Sequence, residues 1–244
     1  SSRPTNAGSY TAVATLAGDS NYNGATSSAY LFTISSATPV ITWASPAAIT
    51  YGTALSATQL NATSTVAGSF VYNPTNGAVL NAGTNTLNVT LNPTDTNNYT
   101  SASNSVSLVV NKAGSTVTVT GATNYTYNGS ALGPTTSTNT GSSGAVTYSY
   151  AGTNGTVYAA SSSRPTNAGS YTAVATLAGD SNYNGATSSA YLFTISSATP
   201  VITWVSPAAI TYGTALSATQ LNATSTVAGS FVYNPTNEIG RAHV

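Results

Sequence analysis

Sulfur is missing from this sequence and charge is nearly so. Among 244 residues there is no Cys and no Met, and only four Lys or Arg, four Asp or Glu and one His, for a net charge of zero. An average soluble protein is about 25% charged, whereas this chain is 3% charged. Without thiols there is no disulfide framework and no thiolate metal site. Without a basic stripe nothing neutralises a phosphate backbone or an anionic lipid headgroup, so nucleic acid is excluded as a partner and no membrane contact is expected. The apolar runs also fall far short of the roughly 20 residues that span a bilayer as a helix. Catalytic parts are equally scarce. Before Glu238 the only acids are Asp19, Asp95 and Asp180, there is no His, and the one lysine is Lys112. A serine nucleophile needs a base within hydrogen-bond reach, and glycoside hydrolysis needs two carboxylates within about 10 Å. The expectation is a protein with no catalytic residues and no cofactor, not an enzyme.

What is present is apolar material and repetition. Hydrophobic residues make up 41% of the chain, including 16 Tyr, which is enough for packed cores. Residues 1–76 recur as 162–237 with one difference, Ala44 against Val205, so the chain contains a tandem duplication at an offset of 161 residues. A diverged shorter repeat lies inside it. The triplet N-A-G begins at Asn6, Asn81 and Asn167, and a D-x-N-Y or D-x-x-N-Y stretch follows each time, at Asp19, Asp95 and Asp180. Two versions of one module therefore alternate along the chain.

Within a module the hydrophobic period is two. Leu87, Val89 and Leu91 alternate with polar residues, as do Val117 and Val119; Val106, Leu108 and Val110 share one face of a strand, and Tyr191, Phe193 and Ile195 share another. This is the pattern of half-buried strands. Asn76-Gly77, Asn128-Gly129, Asn154-Gly155 and Asn184-Gly185 supply the turn residues that tolerate positive φ. No segment sustains a helical period, and β-branched Thr and Val disfavour one. The fold class predicted is all-β: small antiparallel modules in tandem, sandwich-like, elongated as a chain.

The segment from "ITYGTALS" through "LNAGTNTLNVTLNPTDTNNYTSASNSVSLVVNKA" resembles the bacterial immunoglobulin-like repeats of large surface and adhesin-like proteins. The segment from "YTYNGSAL" through "TNAGSYTAVATLAGDSNYNGATSSAYLFTI" resembles the MBG-type repeat, for which a β-grasp-like module is an alternative to the sandwich. The resemblance sets the expected domains: 1–37, the C-terminal half of an MBG-type module; 38–112, a complete Ig-like module; 113–197, a complete MBG-type module; and 198–237, the N-terminal half of an Ig-like module. Residues 238–244, "EIGRAHV", break the repeat in mid-module and resemble a translated sequencing adapter, so Glu238, Arg241 and His243 are expected to belong to an artefact tail. The resemblance implies a non-enzymatic stalk, spacer or adhesive scaffold, located extracellularly or on the cell surface, with signal and anchor outside these residues. The alternative is a carbohydrate-binding module of a secreted enzyme or biofilm matrix protein. The partners it leaves open are a surface or matrix polysaccharide and a host or neighbouring cell surface.

Three local features carry candidate chemistry. Asp19, Asn21 and Asn23, with their copies Asp180, Asn182 and Asn184, match the front of a calcium loop, D-x-N-x-N-G. Position 12, where such a loop needs a bidentate acid, is Tyr30 or Tyr191, so the plainer reading is an Asx-rich turn with the Tyr packed against it. Lys112, with Asp95 as its nearest acid in sequence, raises the idea of a Lys-Asn isopeptide crosslink; a solvated linker lysine is the expected outcome. Tyr51, Tyr72, Tyr99, Tyr148, Tyr150 and Tyr158 are the candidates for a sugar-stacking platform, which requires three of them exposed on one face, while Trp43 in "VITW" is expected in the core.

Overall fold

A computed structural model describes residues 3–234; the expected tail at 238–244 lies outside the described residues. The described chain is all-β. It opens with β1 (Gly8–Ala12), β2 (Thr15–Leu16), β3 (Ala25–Thr26) and β4 (Tyr30–Ile34), in which β1 pairs antiparallel with β4 and β2 with β3.

The next stretch holds β5 (Ile41–Thr42), β6 (Ile49–Thr50), β7 (Thr63–Ser64), β8 (Gly68–Asn73), β9 (Gly83–Pro93) and β10 (Ala102–Asn111). Four of these form a sheet in the order β6-β10-β9-β8, and β5 pairs with β7 separately. Strand β10 runs antiparallel to β9 but parallel to β6, so this module adds one parallel edge pair to the antiparallel pattern expected. The predicted alternation is what buries the core: Leu87, Val89 and Leu91 of β9 meet Leu108 and Val110 of β10, with Ile41 and Trp43 closing over them from the smaller sheet. The Trp43 indole N–H, buried with its ring, donates to the Gln59 carbonyl at 3.0 Å.

The third stretch repeats that plan. It contains β11 (Thr116–Thr120), β12 (Asn124–Thr126), β13 (Thr136–Thr140), β14 (Val146–Thr153), β15 (Gly169–Leu177), β16 (Ala186–Thr187) and β17 (Tyr191–Ser196). The sheet order is β12-β17-β15-β14, with β16 beside the end of β15, and β11 pairs with β13. Again the first edge strand, β12, lies parallel to the last, β17. Two short strands, β18 (Ile202–Thr203) and β19 (Thr224–Ser225), pair antiparallel near the end of the described residues.

By compactness the chain divides into two units. Among the described residues, one holds those up to Thr118 with Ser137–Thr147 and Ala175–Ser189; the other holds Val119–Thr136, Tyr148–Val174 and those from Ala190 onward. The core of the second unit is aromatic. Phe193 stacks on Tyr171 at 5.5 Å between ring centroids and takes Tyr125 and Tyr150 edge-on at 5.8 and 6.3 Å. The buried Tyr150 hydroxyl donates to the Pro134 carbonyl at 2.7 Å, so the polar end of the ring is satisfied.

The Asn-Gly turns divide in kind. Asn154 and Gly155 both have positive φ, 51° and 85°, as a tight hairpin turn requires. Gly185 does not. It is needed for room, because a Cβ there would stand 2.6 Å from the Leu177 carbonyl oxygen.

Candidate functional site

The D-x-N-Y stretches form turns that consume their own carboxylates. Asp180 Oδ1 accepts the backbone N–H groups of Asn182 and Tyr183, both at 2.9 Å, and Asp180 N–H donates to the Tyr183 carbonyl at 3.0 Å. Its second oxygen accepts the Ser143 N–H at 2.9 Å and the Ser143 hydroxyl at 3.3 Å. The bonds donated to the two carboxylate oxygens favour the ionised form. The Ser143 N–H, followed by the Asn182 N–H, holds the carboxyl down at about 2. Asp19 Oδ1 makes the same Asx turn, accepting from Asn21 N–H and Tyr22 N–H at 2.8 and 2.9 Å, and the first of these bonds is the main reason its carboxyl lies below the ordinary value. In Asp95 the lowering comes first from the Asn98 side-chain amide, which donates to Oδ2 at 2.7 Å. Among the described residues no three His, Cys, Asp or Glu side chains group to hold a metal ion.

The Asn of the turn looks outward to the preceding module, within the first unit. Asn182 Oδ1 accepts the Ala82 N–H at 2.9 Å, and its Nδ2 donates to Asn81 Oδ1 at 3.2 Å. The same turn holds the linker: Ala113 N–H donates to the Asn182 carbonyl at 2.9 Å, and the Asn184 N–H donates to the Ala113 carbonyl at 2.8 Å. The rings of Tyr51 and Tyr183 meet edge to face at 5.3 Å. One module earlier the arrangement recurs. Asn98 Oδ1 accepts the Ala7 N–H at 2.7 Å, Ala37 N–H donates to the Asn98 carbonyl at 2.8 Å, and Thr100 N–H donates to the Ala37 carbonyl at 2.9 Å.

The two stretches that share the D-S-N-Y turn are also those that a known family covers. The MBG domain matches residues 1–38 and 115–199, together just over half of the chain. The chain belongs to the MBG domain family. No curated protein matches it at a significant level.

The MBG copies and the module between them give the sugar-platform candidates little exposure. Tyr150 is buried and the other five are half-buried. Tyr72 packs edge-on against Trp43 at 5.4 Å and its oxygen accepts the Ala62 N–H; Tyr158 packs edge-on against Tyr171 at 5.8 Å; Tyr51 meets Tyr183. A platform built from these six is therefore corrected to a set of core and junction residues, because in modules this small the rings supply packing area. Lys112 is exposed and donates to the Asp180 carbonyl at 2.6 Å, which is a junction contact and places no buried acid beside it.

Sequence reasoning found the turn of Asp180, Asn182 and Asn184 but missed what Asn182 and Asn98 hold. The signal was available: N-A-G occurs three times, each followed by D-x-N-Y or D-x-x-N-Y, and recurrence in both module types points to a shared use.

Proposed function

We propose that this MBG-family chain is a non-enzymatic series of structural modules from an extracellular bacterial surface protein, serving as stalk or spacer. The observation that carries this reading is how the repeated polar residues are used. Asp95 and Asp180 close their own turns, and Asn98 and Asn182 beside them hold the backbone of the preceding module. Asn98 and Asn182 are thus engaged in joining one module to the next, and Asp95 and Asp180 in shaping the turns that carry them. A chain with only 3% charged residues adds no electrostatic attraction for either sign of partner.

The test is to pass the full chain over an array of neutral and acidic glycans, and to stretch single molecules end to end. The spacer reading expects no glycan retained and separate unfolding events for the complete modules. Saturable retention of one glycan class overturns it in favour of a carbohydrate-binding module. Antibody labelling of the repeat on intact source cells tests the location, and labelling only after lysis removes the surface assignment.

A further inference from the structure

The three N-A-G triplets are chemically the same and yet sit in two different states. Ala7 and Ala82, whose N–H groups are held by Asn98 and Asn182, are half-buried; Ala168, in the triplet Asn167-Ala168-Gly169, is exposed and has no such partner among the described residues. The turns divide in the same way. Asn182 and Tyr183 are half-buried in the junction, whereas Asn21 and Tyr22 of the identical D-S-N-Y sequence are exposed, Tyr22 at 77%. Internal geometry does not account for the difference, since both turns close through the same Asx bonds.

We propose that the N-A-G triplet is a docking site for the D-x-N-Y turn of the module that follows, and that Ala168 is an open site of this kind whose occupant is the D-T-N-N-Y turn of a further Ig-like module. The occupant is fixed by the duplication. Asn6-Ala7-Gly8 is the same triplet in the same module type, and it takes Asn98 from Asp95-Thr96-Asn97-Asn98-Tyr99. Docking consists of one bond from the alanine N–H to the Asn Oδ1, backed by pairing of the linker alanine with the turn, Ala37 beside Tyr99 and Ala113 beside Tyr183. Because the alanine N–H points out of its own module, it needs an acceptor from outside or from water. The asparagine fits that role because its backbone is already fixed by the aspartate turn, so little freedom is lost on docking. The joint would give successive modules a fixed register along the chain without any covalent link beyond the linker.

The inference deepens the spacer reading, in that it says how consecutive modules are joined. Its test is independent of it. Amide hydrogen exchange on the full chain reads Ala7, Ala82 and Ala168 side by side. The expected result is exchange at Ala7 and Ala82 about tenfold slower than at Ala168, the worth of one net hydrogen bond. Asn182→Ala should raise Ala82 to the rate of Ala168 while leaving Ala7 and the buried strand β9 unchanged; Asn182→Asp, which keeps the acceptor, should retain the protection. Joining residues 77–112 after Asn237 adds a D-T-N-N-Y turn and should slow Ala168. Equal rates at all three alanines in the original chain, an Ala82 rate indifferent to Asn182→Ala, or an Ala168 that stays fast in the lengthened chain would each overturn the proposal. Any of these leaves the spacer reading standing, whereas glycan retention would remove the spacer reading without altering the exchange pattern.

Discussion

Asn182 Oδ1 accepts the N–H of Ala82 at 2.9 Å, joining residues a hundred positions apart through a turn that the Asp180 carboxylate closes. The carboxylate and the amide have separate tasks: one fixes the loop and the other uses it. Separate tasks give separate experimental signatures.

The Asp180 carboxyl titrates at about 2 when folded, against an ordinary 3.8. A group depressed in this way contributes stability that is fully present above its unfolded value and is lost as pH falls through the folded one. Urea midpoints should therefore hold steady down to about pH 4 and then fall toward pH 2. Asp180→Asn should be less stable at neutral pH and show a shallower acid slope; an unchanged slope would contradict the assignment.

The two tryptophans report different surroundings. Trp43 is 8% exposed and Trp204 is 48% exposed. A Trp204→Phe chain should emit at the shorter wavelength and resist acrylamide quenching, while Trp43→Phe should leave a red-shifted, readily quenched emission. Trp43→Ala should cost about 3–5 kcal/mol in its module, as large aromatic deletions from a packed core do, and Trp204→Ala about 1 kcal/mol or less. Chemical denaturation of each variant measures both.

Glycine is required for different reasons at two turns, and substitution separates them. Gly185→Ala forces a methyl against the Leu177 carbonyl and should lower the thermal midpoint. Gly155→Asn meets nothing within 4 Å, so its cost is confined to a backbone φ of 85° that side chains rarely adopt, and its midpoint should fall less than that of Gly185→Ala.

Calcium should do little. Each turn offers one carboxylate, and Asp180 already accepts hydrogen bonds on both oxygens. Millimolar calcium is expected to leave the melting temperature where magnesium leaves it; a calcium-specific rise lost in Asp180→Asn would reinstate the metal loop.

Much of the fold was legible because it rests on local pattern. The period-two faces of Leu87–Leu91 and Val117–Val119 are the buried faces found, and the Asp turns were visible as D-x-N-Y. The parallel edge pairs β6–β10 and β12–β17 were not legible, since they join the two ends of a module and no local periodicity encodes which distant strand lies alongside. The six tyrosines could not be sorted from sequence, because tyrosine serves strand packing and surface stacking alike, and only the arrangement of neighbours decides between them.

The duplication shows where local determination ends. Strand β1 pairs with β4 in the same register as β15 with β17, Tyr10 opposite Phe32 and Tyr171 opposite Phe193, and the Trp204 indole donates to the Gln220 carbonyl at 3.0 Å just as Trp43 does to Gln59. Turn chemistry and alternation within about thirty residues suffice for those features, so identical sequence repeats them. Burial does not repeat: Phe32 is 41% exposed and Phe193 3%. Covering Phe193 takes Tyr125 and Tyr150 from strands β12 and β14, and holding Ala82 takes a turn a hundred residues away. The sequence by itself set the register, the turns and the lack of charge. Which faces became core and which alanine became docked was decided by tertiary structure, because removing surface from water needs partners that local sequence does not contain.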